Sequence, residues 1–248
     1  MKYLKVFDTT PEYNAFKLTE NFILPNVSCT MDDLTVVYYN PYVAPIVQQH
    51  DYVEIGGVKW ATMNIGATSI TDYGLYFQWG DTQGYTADQV GEGTGKKYFN
   101  DDYIYYNGGS YTKYNEVDRK ITLEPTDDAV KAAWGGNWRM PTVSEFIALG
   151  EAVDTAWTTD YQGSGVAGMI CTDKTDSSKV LFFPLCGSAN SGMIDNVGSY
   201  GYYLSSSLYT DDGYPYAEVY YSLINSDSVG WDYCCNRFSG CSVRGVLG

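Results

Sequence analysis

The chain has 248 residues, of which 44% are hydrophobic and 16% aromatic, so it can bury a sizeable core and is not disordered. Its 15 Lys and Arg stand against 30 Asp and Glu, and the formal net charge of −15 excludes nucleic acid as a partner. No apolar run approaches the roughly 18 residues that span a bilayer, and no secretory signal is recognisable. The sequence therefore predicts a product made in the cytoplasm without membrane insertion.

Residues 1–49 read as a separate small unit. Lys2–Phe7 and Leu34–Tyr39 have the pattern of short strands, and Asp8 or Thr9 can cap a helix between them. The proline-containing run Tyr42–Gln49 is typical of an extended connector. About fifty residues are too few for a comfortable core of their own, so we expect residues 1–49 to dock or oligomerise and residues 50–248 to form the main domain.

The main domain opens with a predicted hairpin, followed by a long irregular segment. Alternating runs surround Gly56-Gly57, the turn signature of a tight hairpin. Tyr73–Trp79 is predicted as a further strand. Thr82–Lys120 has almost no periodicity, and we interpret it as an inserted loop, a kind of segment that is usually functional or mobile.

Two amphipathic helices are predicted next. Thr126 is placed to cap a helix that ends at Trp134, before two glycines. Thr142 and Glu145 form a capping box for the second helix. Its expected apolar face consists of Phe146, Ile147, Leu149 and Val153.

The remainder of the domain is predicted to be strands. Ala167–Thr172 and Val180–Leu185 flank a polar turn and indicate a hairpin, and Tyr202–Ser207, Tyr216–Ile224 and Ser242–Leu247 follow as strands. Within Tyr216–Ile224, alternation separates Tyr220 and Ser222 from an apolar face. Many short strands with two helices between them predict an α+β fold.

The segment from Gly198 to Cys241 has the composition of a binding loop set. Its 44 residues contain nine Tyr and eight Ser, with no Lys and one Arg. Tyrosine offers a large amphipathic contact surface at low entropic cost, and Ser, Gly, Asn and Asp supply adaptable hydrogen bonds. An ordinary β region that happens to be rich in tyrosine is the alternative interpretation.

Neither a catalytic site nor a cofactor or metal site is predicted. The single histidine, His50, lies near the connector and is expected to be a solvated surface residue. The Gly-rich run before Lys96-Lys97 lacks the spacing of a phosphate-binding loop. The six cysteines lack the spacing of a zinc site, and we expect free thiols.

Three sequence blocks carry a resemblance to a known family: Gly136–Glu145, Gly201–Ser207 and Ser242–Val246. Together they resemble the C-type lectin fold of formylglycine-generating-enzyme-like domains. More narrowly, residues 50–248 resemble the variable proteins of diversity-generating retroelements, especially those of gut Bacteroides phages. Gly245 departs from the proline that is common at its position.

The resemblance implies a compact domain whose first and final strands pair, with Arg139 and Arg244 as structural anchors. It also implies a solvent-facing surface diversified through adenine-containing codons, with Arg237 fixed among the variable positions. The positions that match are Tyr209, Asp212, Tyr214, Tyr216, Tyr220, Ser222, Asn225, Ser228, Asp232, Tyr233, Cys234, Cys235, Asn236, Phe238, Ser239 and Cys241.

From this resemblance we expect a non-enzymatic ligand-binding protein for phage host attachment, carried on the virion tail. Its partner would be a bacterial cell-surface protein or glycan, and residues 1–49 could form a homo-oligomer. Three alternatives remain at this point. They are a copper oxidase of the formylglycine-generating type using Cys235 and Cys241, a calcium-dependent lectin, and a bacterial surface or pilus-tip adhesin.

Overall fold

A computed structural model describes residues 4–7, 28–31, 34–38, 50–100, 102–210 and 216–248. The chain divides into two compact units, Met1–Val47 and Gln48–Gly248, where we expected a boundary between residues 49 and 50. Among the described residues, no helix combines the length and the apolar character needed to cross a membrane.

The first unit contains a three-stranded antiparallel sheet of β1 (Leu4–Phe7), β2 (Ser28–Met31) and β3 (Leu34–Tyr38), with β3 in the centre. The two strands predicted from the sequence are confirmed as β1 and β3, whereas β2 was not predicted. The helix expected after Asp8 and the connector Tyr42–Gln49 lie outside the described residues.

The described part of the second unit combines two helices with short antiparallel strands, which confirms the mixed helix and strand content that we predicted. The helices are α1 (Ala129–Trp134) and α2 (Val143–Ala152). The strands are β4 (Tyr52–Ile55), β5 (Val58–Asn64), β6 (Tyr106–Asn107), β7 (Ser110–Tyr111), β8 (Trp138–Arg139), β9 (Val153–Thr158), β10 (Gly168–Asp173), β11 (Val180–Pro184), β12 (Ser188–Asn190), β13 (Met193–Asp195), β14 (Tyr200–Leu208), β15 (Glu218–Asn225), β16 (Val229–Asn236) and β17 (Arg244–Leu247).

The predicted hairpin at the start of the domain is confirmed. Gly56 and Gly57 connect β4 to β5 with φ angles of 61° and 78°, the left-handed region that a two-residue hairpin turn requires. The second arm of this hairpin, β5, pairs with the final strand β17, which also pairs with β8. The resemblance implied pairing of the first and final strands, and it is the second strand of the hairpin that makes this contact.

The strand predicted at Tyr73–Trp79 is wrong. Only Tyr76 and Phe77 form isolated bridges, and the backbone amides of this segment donate to several separated parts of the chain. Gly74 interrupts it further with a φ of 74°. Because successive amides find different partners, no continuous strand ladder forms.

One of the two predicted helix starts is correct. The capping box of α2 is present, with Thr142 and Glu145 each bonded to the other's backbone. The cap of α1 is Asp128, and not Thr126, so that helix begins at Ala129. An aspartate in extended conformation accepts an amide of the first turn as well as threonine does, and the sequence offers both residues.

Several strands were not predicted, among them β16, which carries five of the candidate residues. The expected hairpin of β10 and β11 is confirmed, as are the strands at β14, β15 and β17. The strands β6, β7, β8, β9, β12, β13 and β16 were missed. Val153, expected on the apolar face of α2, starts β9 instead, and Ile147 on that face is exposed.

Two hydrophobic clusters hold the domain together, and the sheet β14-β15-β16 lies between them. Val219 and Tyr221 of β15 pack in a cluster with Trp79. Ile224 of the same strand packs in a second cluster, with Phe146 of α2. Because alternate residues of a strand point to opposite faces, the centre of this sheet is covered on both sides.

His50, expected to be solvated, packs against two tryptophans. Its ring stacks on Trp134 at a centroid distance of 3.9 Å and meets the edge of Trp138 at 5.8 Å. Burial lowers the pKa of His50 below its usual value of 6.5, while the neighbouring Asp51 carboxylate opposes this change. The protonated imidazole is therefore less favourable in the folded state than in the unfolded one.

The burial of His50 predicts a loss of stability at low pH. Because the pKa of His50 is lower in the folded state, the unfolded chain binds the proton more tightly. The free energy of unfolding therefore decreases as pH falls below about 6.5. We expect the wild-type chain to lose more stability than His50→Phe between pH 7.5 and pH 5, measured by urea unfolding. An equal loss in both proteins would contradict the assignment.

Candidate ligand-binding surface

Most candidate residues lie on or beside β16, which is an edge strand. The sheet order is β14-β15-β16, and among the described residues β16 pairs only with β15. Its sequence, VGWDYCCN, lacks a clear alternation and was therefore not predicted as a strand. Pairing with β15 extends it in spite of Gly230 and Asp232, so tertiary context overrides local propensity here.

Helix α2 presses on one face of β16. A Cβ atom on Gly150 would lie 2.2 Å from Nε1 of Trp231, so only glycine allows this close approach. The ring of Phe146 lies 6.3 Å from that of Trp231, nearly parallel to it. This contact fixes the position of the edge strand relative to the helix.

Two candidates are buried, and their assignment to a ligand surface is wrong. Ser222 is 0% exposed and lies opposite Tyr203, which packs in the same cluster as α2. Cys241 is 1% exposed, its backbone pairs with Phe77, and it belongs to the Trp79 cluster. The alternation in β15 was read correctly, but the face that carries Ser222 meets α2 rather than water.

One group of candidates lies together on the α2 face, at the end of the sheet where β15 begins. Tyr220 pairs with Cys234 across the strands, and its ring contacts that of Tyr209 at 5.0 Å. Burial, followed by the contact with the Glu218 carboxylate, raises the pKa of Cys234 to about 11. Three adjacent strand segments thus bring Tyr209, Tyr220 and Cys234 into one partly exposed patch.

Tyr233 lies on the opposite face of the same sheet. It is 51% exposed, and its ring contacts that of Tyr221 at 6.4 Å. Tyr221 in turn contacts Tyr202, and Tyr202 contacts Tyr200. We call these four residues the tyrosine row. Only Tyr233 was a candidate; the alternation of Tyr200 and Tyr202 along β14 was the signal that could have identified the others.

The remaining candidates occupy the two ends of β16 and the bulge within it. Asp232 is exposed where two residues of β16 oppose one of β15. At one end Asn225 and Ser228 form the turn between β15 and β16, where Asn225 Oδ1 accepts the Ser228 amide at 2.9 Å. At the other end Asn236 is exposed, and Cys235, Phe238 and Ser239 are half-buried. Asp212 and Tyr214 lie outside the described residues.

The structure therefore does not place the candidates on one flat face. They surround the edge strand, with Tyr220 and Cys234 on one side and Tyr233 on the other. The candidates therefore share a strand and not a face of the sheet.

Tyr216 connects this surface to the inserted segment Thr82–Lys120. It adopts a left-handed backbone with φ of 72°, an outlier for a bulky residue. It also lines an open groove of about 350 Å³ together with residues of the inserted segment. Those residues are Ser110, Tyr111, Asn115, Glu116 and Val117.

The buried guanidinium of Arg237 holds this junction together. Arg237 is 0% exposed, and within the described residues it forms no ion pair. Its NH groups donate to four oxygens at 2.9 to 3.0 Å: the carbonyls of Lys113, Tyr114 and Tyr216 and the hydroxyl of Tyr103. The segment that we expected to be functional or mobile is thus bonded firmly to the end of β16.

Arg244 and Arg139 have comparable structural contacts. Arg244 is fully buried and donates to Asn64 Oδ1 and to the carbonyls of Ala61, Thr62 and Phe182. Arg139 forms a bidentate pair with Glu145 at 2.6 and 2.8 Å. All three arginines therefore stabilise the folded domain that carries the candidate residues, which we call the frame.

The thiols of this region are the groups that a soft metal would require. In the part of the chain that the structure describes, no group of three or more His, Cys, Asp or Glu side chains is arranged to hold a metal ion. Cys235 and Cys241 are in contact, and this contact together with burial raises the pKa of Cys241 well above its usual value. Burial thus disfavours the thiolate that would bind a soft metal.

Replacing Arg237 with lysine tests the role of the junction. The single ammonium group of lysine cannot donate to all four oxygens that the planar guanidinium contacts, so buried carbonyls lose their donors. We therefore expect the free energy of unfolding to fall by about 2 to 4 kcal/mol. The six tryptophans all lie in residues 60–231, so their fluorescence in urea reports on the main domain alone. Arg119→Lys, at an exposed arginine, is the matched control; equal losses in the two variants would contradict this role.

Comparison with protein-family models, with curated proteins and with solved structures yields no significant match to this chain. A functional conclusion must therefore come from the residues themselves and from their arrangement around the edge strand.

Proposed function

We propose that residues 50–248 form a non-enzymatic ligand-binding domain of the C-type lectin fold that displays a diversified surface for phage attachment to a bacterial host. The observation that carries the proposal is the position of the candidate residues. Most of those in the described residues are at least partly exposed around β16, on a frame that is packed on both faces of the sheet.

Three features of the frame support the lectin-like assignment. The opening hairpin pairs with the final strand, two helices lie between the strand-forming halves of the domain, and Arg244 is buried beside the pairing of β5 and β17. These features agree with what the resemblance implies. A fold alone does not establish a function, so the proposal depends on the exposed residues.

The surface is suited to exchange of side chains. Substitution of exposed residues away from special contacts changes stability by about 0.5 kcal/mol or less. Tyr233, Asp232 and Asn236 are exposed, whereas Arg237 next to them is fully buried. A diversifying process could therefore alter the exposed positions and leave the fixed arginine to maintain the frame.

The composition of the surface favours contact over catalysis. Tyrosines such as Tyr220 and Tyr233 can act as anchors that contribute most of the binding energy, surrounded by near-neutral contacts. The net charge of −15 disfavours a strongly anionic partner. A homo-oligomer formed through residues 1–49 would multiply weak contacts through effective concentration.

Binding to intact cells tests the proposal. The labelled full-length protein should bind at least one isolate in a panel of gut bacteria, and Tyr220→Ala should weaken this binding about tenfold or more because an aromatic anchor is lost. Tyr52→Ala, at an exposed tyrosine on β4, should bind like the wild type. Absence of binding to every isolate, or equal effects of the two substitutions, would contradict the proposal.

The nucleotide sequence around the gene provides a separate test of diversification. A nearby reverse transcriptase gene and a near-copy of the segment encoding residues 209–241, differing at adenines, are expected. Differences spread evenly over all four bases would argue against this mechanism while leaving the binding function open.

The contact between Cys235 and Cys241 favours one second candidate, a copper oxidase of the formylglycine-generating type. The residues present fit copper poorly, since Cys241 is 1% exposed and its thiol pKa is raised. We expect anaerobic titration with Cu(I) to give no stoichiometric complex at this pair. A complex of one copper per chain that disappears in Cys235→Ser would favour the oxidase.

A further inference from the structure

The tyrosine row is a narrow aromatic strip across three adjacent strands. Tyr200 and Tyr202 lie on β14, Tyr221 on β15 and Tyr233 on β16, with successive ring centroids 6.1, 5.5 and 6.4 Å apart. Tyr200 is 36% and Tyr233 51% exposed, Tyr202 is half-buried, and Tyr221, at 6% exposed, is buried between them. The strip is thus one ring wide and has three accessible rings, which the buried ring of Tyr221 connects.

The ring of Tyr233 lies over Gly230 of its own strand. A Cβ atom on Gly230 would come within 1.9 Å of the Tyr233 ring, so the missing side chain makes room for the ring against the sheet. A ring that rests on the sheet in this way is held in place and exposes its other side to solvent. The end of the row is therefore a preformed aromatic surface rather than a freely rotating side chain.

Tyr202 and Tyr221, in the middle of the row, have uncharged neighbours. Leu223 lies opposite Tyr202 on the neighbouring strand, and Asn196 Nδ2 donates to the Tyr202 hydroxyl at 3.5 Å. The thiols of Cys235 and Cys241 also lie near Tyr202 and Tyr221. The row thus offers aromatic rings, phenol hydroxyls and an amide.

The aromatic and hydrogen-bonding groups of the row suit a saccharide ligand. A pyranose has C–H groups that pack on an aromatic ring and hydroxyls that exchange hydrogen bonds with phenols and amides, which matches the two-sided character of tyrosine. A protein partner normally covers a broad patch of about 800 Å² with a polar rim, whereas the row is a single line of rings. The charge of −15 further disfavours acidic saccharides.

We propose that the tyrosine row is a binding strip for a linear, uncharged oligosaccharide chain. This inference rests on the proposed function and specifies the ligand chemistry of one part of the candidate surface. Of the four rings, only Tyr233 belongs to the positions expected to vary. Tyr200 and Tyr202 would therefore supply a constant contact with saccharide, and Tyr233 and the other variable residues around β16 would adjust the selectivity.

The experiment uses the full-length protein and a printed panel of neutral oligosaccharides, with their sialylated and sulfated counterparts as acidic probes. We expect saturable binding to at least one neutral linear chain, stronger for a tetrasaccharide than for its disaccharide because more rings are covered. Tyr233→Ala should weaken binding about tenfold or more. Gly230→Ala should do the same with Tyr233 still present, since the added methyl displaces the ring.

Tyr52→Ala is the control and should bind the neutral hit like the wild type. Unfolding midpoints in urea identify any variant that loses its fold. If Gly230→Ala unfolds, Tyr233→Ala still tests the inference. Failure of all neutral oligosaccharides to bind, preference for the acidic probes, or wild-type affinity in Tyr233→Ala would overturn the inference.

Parallel measurements on bacteria separate this inference from the proposed function. If the protein binds cells after periodate oxidation of their glycans but not after protease treatment, the saccharide strip is refuted and the attachment function stands. If it binds a neutral oligosaccharide through the row but no bacterial isolate, the strip stands and the attachment function fails.

Discussion

The buried guanidinium of Arg237 is the interaction on which the candidate surface depends. It sits directly after β16 and bonds carbonyls of Lys113, Tyr114 and Tyr216, which belong to segments far apart in the sequence. A buried cation is costly unless its donors are satisfied, and here carbonyl and hydroxyl oxygens satisfy them in place of a carboxylate. The end of the edge strand, the inserted segment and the start of β15 are consequently fixed to one another.

The same sheet serves two opposite needs because its centre and its edge have different surroundings. In the centre of β15, Val219 and Tyr221 pack on one side and Ile224 on the other, so substitution there would leave cavities or clashes. Along β16, Asp232, Tyr233 and Asn236 face water. Buried packing thus lies in the centre of the sheet, and the strand that we propose contacts a ligand lies at its edge.

Much of the frame could be predicted from the sequence because its signals are local. Gly56-Gly57 must form a turn with positive φ, and the capping box of Thr142 and Glu145 marks a helix start wherever the helix packs. The composition of the segment after Gly198, with nine tyrosines and one arginine, distinguished it from the rest of the chain, although Tyr203 and Tyr221 within it are buried. These features need no knowledge of distant contacts.

The errors have a common physical origin in contacts between distant segments. Ser222 was assigned to the outer face because alternation cannot show that α2 covers that face, and Cys241 because nothing local indicates its place in the Trp79 cluster. The strand β16 was missed because pairing with β15 outweighs its weak propensity. The tyrosine row was missed for the same reason, since its four rings come from three strands that meet only in the folded sheet.

If the domain is built as described, it tolerates side-chain exchange around β16 but not at its buried positions. Saturation mutagenesis of residues 216–241, with protease resistance of the displayed full-length protein as the readout, tests it most directly. We predict broad tolerance at Tyr220, Asp232, Tyr233 and Asn236 and near-complete intolerance at Ser222, Arg237 and Cys241 to larger or charged residues. Equal intolerance at both sets of positions would contradict the account.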